Sequence, residues 1–177
     1  MRAIDGTATR YDAGTVWLHW LTVLLVAEQW IGAQLIDLFA RGAPRVNARS
    51  VHIMLGATLL LVLAVRIVWR LTGGRRLPDA DGPVLNLVAK AVQLGLYGLL
   101  LAMVALGLTL AFARGDSIFG LFALPSFAPG DKAVENTLQD MHAAVGWAIL
   151  AVGGLHGAAA LVHRFVWRDG VLARMWR

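Results

Sequence analysis

A chain of 177 residues that is 58% hydrophobic and only 15% charged, with a mean hydropathy of +0.65, is more apolar than an ordinary water-soluble domain, which carries about 25% charged and about half apolar residues. The absence of cysteine excludes disulfides, thiolate metal ligation, iron–sulfur clusters and cysteine nucleophiles. A net charge of +5 would suggest a nucleic-acid partner, but the charges follow the sides of a membrane instead and give no reason to expect one.

The first apolar run is Val16–Phe39. Asp5 and Asp12 dilute the basic residues before it, the run is longer than the core of a leader peptide, and no A-x-A site follows, so it reads as a retained span. His19 stands near its start and Glu28 near its middle. Glu28 is about half a turn out of phase with His19; it serves either as a proton relay or as a protonated side chain bonded to a neighbouring helix. The second run, Val51–Leu71, begins with His52 and carries Arg66; Arg41, Arg45 and Arg49 precede it. The breakers Gly73, Gly74, Pro78 and Pro83, with Asp79 and Asp81, make a short connection. The third run, Leu85–Phe112, has no histidine. A longer loop follows to about Asp140. Within it Ser117–Phe127 is apolar enough to lie on a membrane surface, and the more polar Asp131–Asp140 begins the last helix before it enters the bilayer. The fourth run, Met141–Phe165, holds His142 and His156.

Each run approaches the roughly 20 residues that span a bilayer core as a helix, whereas a barrel would show alternation in segments of about ten. The predicted fold is an all-α membrane protein, a bundle of four transmembrane helices forming one membrane domain over residues 1–177. Arg2, Arg10, Arg66, Arg70, Arg75, Arg76, Lys90, Arg164, Arg168, Arg174 and Arg177 fall on the side of the termini; Arg41, Arg45, Arg49, Arg114 and Lys132 fall on the other. The positive-inside rule then makes both termini cytoplasmic in a bacterial inner membrane, and lipid is a constant partner.

Four histidines in the apolar runs are costly without partners or a task. His142 and His156 are 14 residues apart, about 21 Å along a helix at 1.5 Å per residue and on nearly one face. His52 is level with His142, and His19 with His156. The expected pairs are therefore His52–His142 on the outer side and His19–His156 on the inner side, the pattern of axial ligands for two haems stacked across the membrane. No three histidines share a depth, which argues against zinc or copper clusters. Gly56, Gly146, Gly153 and Gly157 lie beside the ligands and leave room for a flat macrocycle, although such glycines serve helix packing equally well. Arg66, 14 residues after His52, falls at the inner depth and Arg49 at the outer one; each is a candidate partner for haem carboxylates, or a snorkelling interfacial arginine. No second histidine of the apolar runs falls at the depth of His163, which reads as a surface residue.

Leu18-His19-Trp20, Val51-His52 with Gly56, Arg66 through Arg70, Leu96-Tyr97 with Gly107, Met141-His142 and Gly154-Leu155-His156 together resemble the bacterial diheme cytochrome b561 family over nearly the whole chain. The segment Ala160 to Asp169 is similar to the superoxide:ubiquinone oxidoreductases within it. Gln93 and Val104 stand where relatives often carry a histidine and a proline; neither departure removes a proposed ligand. The resemblance implies two b-type haems and ubiquinone as a redox partner. It also implies superoxide as electron donor at the periplasmic side, which Arg41, Arg45 and Arg49 would attract. The alternative is a haem b anchor subunit that passes electrons between a dehydrogenase or hydrogenase and quinone. The short ends favour a chain without an obligatory protein partner.

Overall fold

The computed structural model describes residues 10–80 and 82–176; Arg2, Asp5, Asp81 and Arg177, which enter the charge pattern above, lie outside the described residues. Four long helices dominate: α1 over Ala13–Leu35, extended by a 3-10 turn at Ile36–Leu38, α2 over Ala43–Thr72, α3 over Pro83–Arg114 and α4 over Lys132–Val162. All four are long and apolar enough to cross a membrane. Between α3 and α4 a small antiparallel hairpin pairs β1 (Ser117–Ile118) with β2 (Phe122–Ala123), Ser117 opposite Ala123.

Local chemistry sets the helix ends. The Asp12 carboxylate caps α1 by accepting from the Thr15 backbone N–H at 2.9 Å, and Asp131 caps α4 through Ala133 and Val134, both at 3.1 Å. Gly115, at φ +64°, closes α3 in a left-handed conformation that suits glycine. The second helix begins at Ala43, about two turns before the hydropathy boundary at Val51. Pro44 in its first turn supplies the start, and the polar residues Arg45 and Asn47 hide it from an apolarity scan. The lead-in of α4 through Asp131–Asp140 is helical, as its polarity suggests. The last helix ends at Val162 and passes into a π turn at His163–Trp167 and a 3-10 turn at Leu172–Met175.

Helix α1 packs along α2 and α3 along α4, while α2 and α3 touch over a smaller area. Leu25, Leu59, Leu63, Leu100, Val104 and Ile149 form the buried centre. Outside it, large apolar side chains such as Leu24, Leu61, Leu94 and Leu155 are exposed. A thin core with an apolar exterior is the arrangement expected when hydrocarbon is the solvent and helices associate by packing. The hairpin is pinned to α2: the Ser50 hydroxyl donates to the Ser117 carbonyl at 3.0 Å and accepts from the Phe119 N–H at 2.8 Å. Phe119, Leu121 and Phe122 stay exposed on it, so the segment expected to lie along the membrane surface is a docked hairpin with an apolar outer face.

The end carrying the termini is tied together by polar contacts. Asp12 accepts from the Thr15 hydroxyl at 2.7 Å, the Trp69 indole at 3.0 Å and the Arg75 backbone N–H at 2.8 Å. Burial raises the carboxyl's pKa, yet these bonds outweigh it and hold the group at about 2 against an ordinary 3.8. Trp69 fits between Gly14 and Gly73, where an added Cβ would come within 2.8 Å of the indole in either case. The tail folds back on this end: the Trp20 indole donates to the Met175 carbonyl at 2.9 Å, and Arg174 donates to the Pro78 carbonyl at 2.8 Å. His163 faces Asp169 within the tail and packs against the Trp167 ring. Its surroundings belong to the turn and not to the ligand pairs. The N–H of Val171 and the imidazole of His163 lower the Asp169 pKa.

Candidate functional site

The bundle brings the four intramembrane histidines together two by two. His52 of α2 and His142 of α4 have ring centroids 6.3 Å apart, and His19 of α1 and His156 of α4 have theirs 6.4 Å apart. The rings meet edge to face, at 79° and 70°, and no hydrogen bond joins the members of either pair. Their spacing has a simple interpretation. A metal–imidazole bond of about 2 Å plus about 1.1 Å from nitrogen to ring centre places two trans imidazoles about 6.2 Å apart. Both pairs therefore have the spacing that two imidazoles flanking one metal ion would have.

The surroundings of the first pair strengthen the fit. A cavity of about 400 Å³ lies among the four helices, lined by His52, His142, Gly107 and apolar side chains including Val104 and Ile149. The Nδ1 atoms of His52 and His142 are buried with no hydrogen-bond partner among the described residues. Gly107 of α3 lies under that ring: a Cβ there would stand 3.0 Å from Cε1. His52 is anchored by its backbone, since the Gln29 side-chain amide donates to its carbonyl at 3.0 Å. The cavity has polar residues at its rim, among them Arg49, Arg114, Asp116 and Gln139.

At the second pair, Arg66 Nη2 is 3.0 Å from His19 Nδ1, and its guanidinium lies over the Tyr97 ring at 5.2 Å. Guanidinium only donates, so this contact needs a bare Nδ1. An imidazole bound to a metal through Nε2 carries its proton on Nδ1 instead, and Arg66 must then release it. Arg66 is thus at the expected depth, and its partners are a ligand candidate and a tyrosine.

The other sequence-selected residues divide. Arg49 lines the cavity and pairs with Asp116 at 3.0 Å. Arg45 does not present a free charge as expected. It donates to the Phe39 and Asp37 carbonyls at 2.8 and 2.9 Å and pairs with the Asp37 carboxylate at 3.5 Å, bracing the α1–α2 corner. Arg41 is exposed. Of the two roles open to Glu28, an interhelical bond is not made through Oε2, which is buried with no hydrogen-bond partner among the described residues. Nor do the flanking glycines all leave open space. Gly56 makes room for the Gln29 amide, at 2.9 Å from an added Cβ, and Gly146 for Met103, at 3.0 Å, whereas nothing lies within 4 Å of Gly153 or Gly157. Gln29, Arg114 and Gln139 escape a sequence reading because they are ordinary polar residues until the helices bring them to one cavity.

Comparison with known proteins agrees with this geometry. Residues 10–177 match the family described as prokaryotic cytochrome b561. Cytochrome b561 homolog 2 of Escherichia coli K12 is 28% identical, over 98% of this chain and 94% of that protein. Probable superoxide oxidase CybB of Yersinia pestis is also 28% identical, over 94% of this chain and 95% of its own length. Cytochrome b561 homolog 1 of Escherichia coli K12 is 25% identical, again over nearly the full length of both chains. The chain belongs to the prokaryotic cytochrome b561 family, helical membrane proteins that bind b-type haem and transfer electrons.

Proposed function

We propose that this protein carries electrons across the inner membrane through two b-type haems, oxidising superoxide on the periplasmic side and reducing ubiquinone. One observation supports the two-haem reading above the others: two histidine pairs on transmembrane helices, with ring separations of 6.3 and 6.4 Å. In this reading His52 and His142 hold the outer haem and His19 and His156 the inner one. Bound haem supplies a one-electron couple, and two axial histidines leave no open iron position. The basic residues gathered at the terminal end support a topology with both termini in the cytoplasm.

The choice of superoxide rests on the relative from Yersinia pestis and on the resemblance of the Ala160–Asp169 segment. Two superoxide ions would yield two molecules of dioxygen and two electrons; ubiquinone takes two electrons and two protons to become the quinol. Exposed Arg41 is placed to attract a small anion, whereas Arg45 serves the corner and Arg49 is paired with Asp116.

The test is haem reduction when superoxide is generated beside the purified protein alone. The expected reaction is fast, slows as salt screens charge beyond about 10 Å at 0.1 M, and slows when Arg41 is changed to Gln. Added ubiquinone should then reoxidise the haems. A protein indifferent to superoxide but reduced by a co-purified dehydrogenase or hydrogenase would be an anchor subunit instead.

A further inference from the structure

Arg114 is the last residue of α3, and its side chain lines the cavity between His52 and His142. An interfacial arginine of no special task extends its head into water. This one is only 21% exposed and is held from α4: Nη2 donates to the Gln139 side-chain oxygen, and Nε lies 3.9 Å from a Glu135 oxygen. The Glu135 contact is too long for a hydrogen bond. That carboxylate, 9% exposed, is instead bonded by Lys132 Nζ at 2.8 and 3.0 Å. Arg114 is thus a nearly buried cation at the rim of an apolar cavity, oriented by a neutral amide and facing a carboxylate already bonded by another cation. Most of its five donors remain available.

The second rim cation is more exposed, at 36%, and bonds its acid directly. Arg49 of α2 lines the same cavity and bonds Asp116, itself 9% exposed, at 3.0 Å. Two guanidiniums, each backed by a buried acid, therefore stand at the edge of a cavity that contains two facing imidazoles. Haem b has two carboxylates on one edge, and guanidinium–carboxylate pairs are the strong, directional partners for them.

We propose that Arg114 and Arg49 form a two-pronged clamp for the carboxylates of the haem held by His52 and His142, and that Gln139 is the positioning residue for Arg114. This rests on the two-haem reading above and adds to it the residues that fix the group's rotation about its axial bonds.

The clamp is tested by transfer of haem from the purified full-length protein to excess apomyoglobin, followed alongside a redox titration of both haems. His52→Ala identifies which kinetic phase and which titration step belong to this site. Arg114→Gln should speed that phase by about tenfold or more, the order expected for a charge-assisted hydrogen bond. It should also lower that haem's midpoint potential, because a nearby cation favours the reduced form. Arg114→Lys keeps the charge without the fork, so it should restore most of the potential and less of the retention. Gln139→Ala should speed loss in the native background and add nothing to Arg114→Gln, the signature of a residue that acts through another. The inner-haem phase, unchanged in each variant, reports an intact bundle. An outer haem that Arg114→Gln releases no faster and titrates no differently overturns the role of Arg114 alone. An unaltered protein with no haem at this site overturns both the clamp and the reading beneath it.

Discussion

Gly107→Ala is the smallest change that should damage the outer site without touching a ligand. The added methyl would lie 3.0 Å from Cε1 and 3.5 Å from Nδ1 of His142. Non-bonded carbons sit at about 3.5–4.0 Å, so the ring, or α3 itself, has to retreat by about 0.5 Å. Against a metal–nitrogen bond of about 2 Å that displacement is large, because His52 fixes the other side of the group at a ring separation of 6.3 Å. Overpacking of this kind costs about 1–3 kcal/mol. At 1.4 kcal/mol per factor of ten, haem retention at the outer site should weaken by about 5- to 150-fold. The measurement is haem content per chain with the low-spin spectrum of each haem, the inner haem serving as internal control. A Gly107→Ala protein that retains both haems with unchanged low-spin signals would refute the close packing of glycine and ligand.

Three further outcomes follow from the same geometry. Asp12→Ala should destabilise the protein at pH 7 and progressively less as the pH falls from about 4 to about 2, because the carboxylate's depressed pKa contributes stability only while the group is ionised; solvent screening reduces the contribution to about 1 kcal/mol, and thermal unfolding in detergent across that pH range reads it. A single cysteine at Lys132 should react with an impermeant thiol reagent in intact cells while one at Arg76 should not; the reverse would invert the topology and exchange the two ends of the wire. His163→Ala should leave both haems in place and loosen the tail, seen as faster proteolysis after Val162.

The bundle was legible because membrane helices announce themselves: long apolar runs have few alternatives, and a 3.6-residue period converts a 14-residue interval into two depths on one face. That arithmetic is sufficient to align His142 and His156 and to match each with a histidine from another helix. Helix starts were less legible. The first two turns of α2 contain Arg45 and Asn47, and apolarity is blind to a helix that projects out of the bilayer. The hairpin after Gly115 depends on Ser50, 67 residues from Ser117, and no local pattern declares so distant a bond. Charge was the weakest guide. Arg45 and Arg49 look equivalent in the sequence, yet one braces a corner through backbone carbonyls and the other lines the cavity. Arg114 looked like a topological cation until α4 placed Glu135 and Gln139 beside it.

The central claim is that two histidine pairs each hold one haem. Its most direct test is the haem stoichiometry and reduced-minus-oxidised spectrum of the purified protein and its four ligand variants. The predicted result is two non-covalent, low-spin b-type haems per chain. His52→Ala and His142→Ala should remove the outer haem and leave most of the inner one, and His19→Ala and His156→Ala should do the opposite. A single haem in the unaltered protein, or the same haem lost from His52→Ala and His19→Ala, would contradict it.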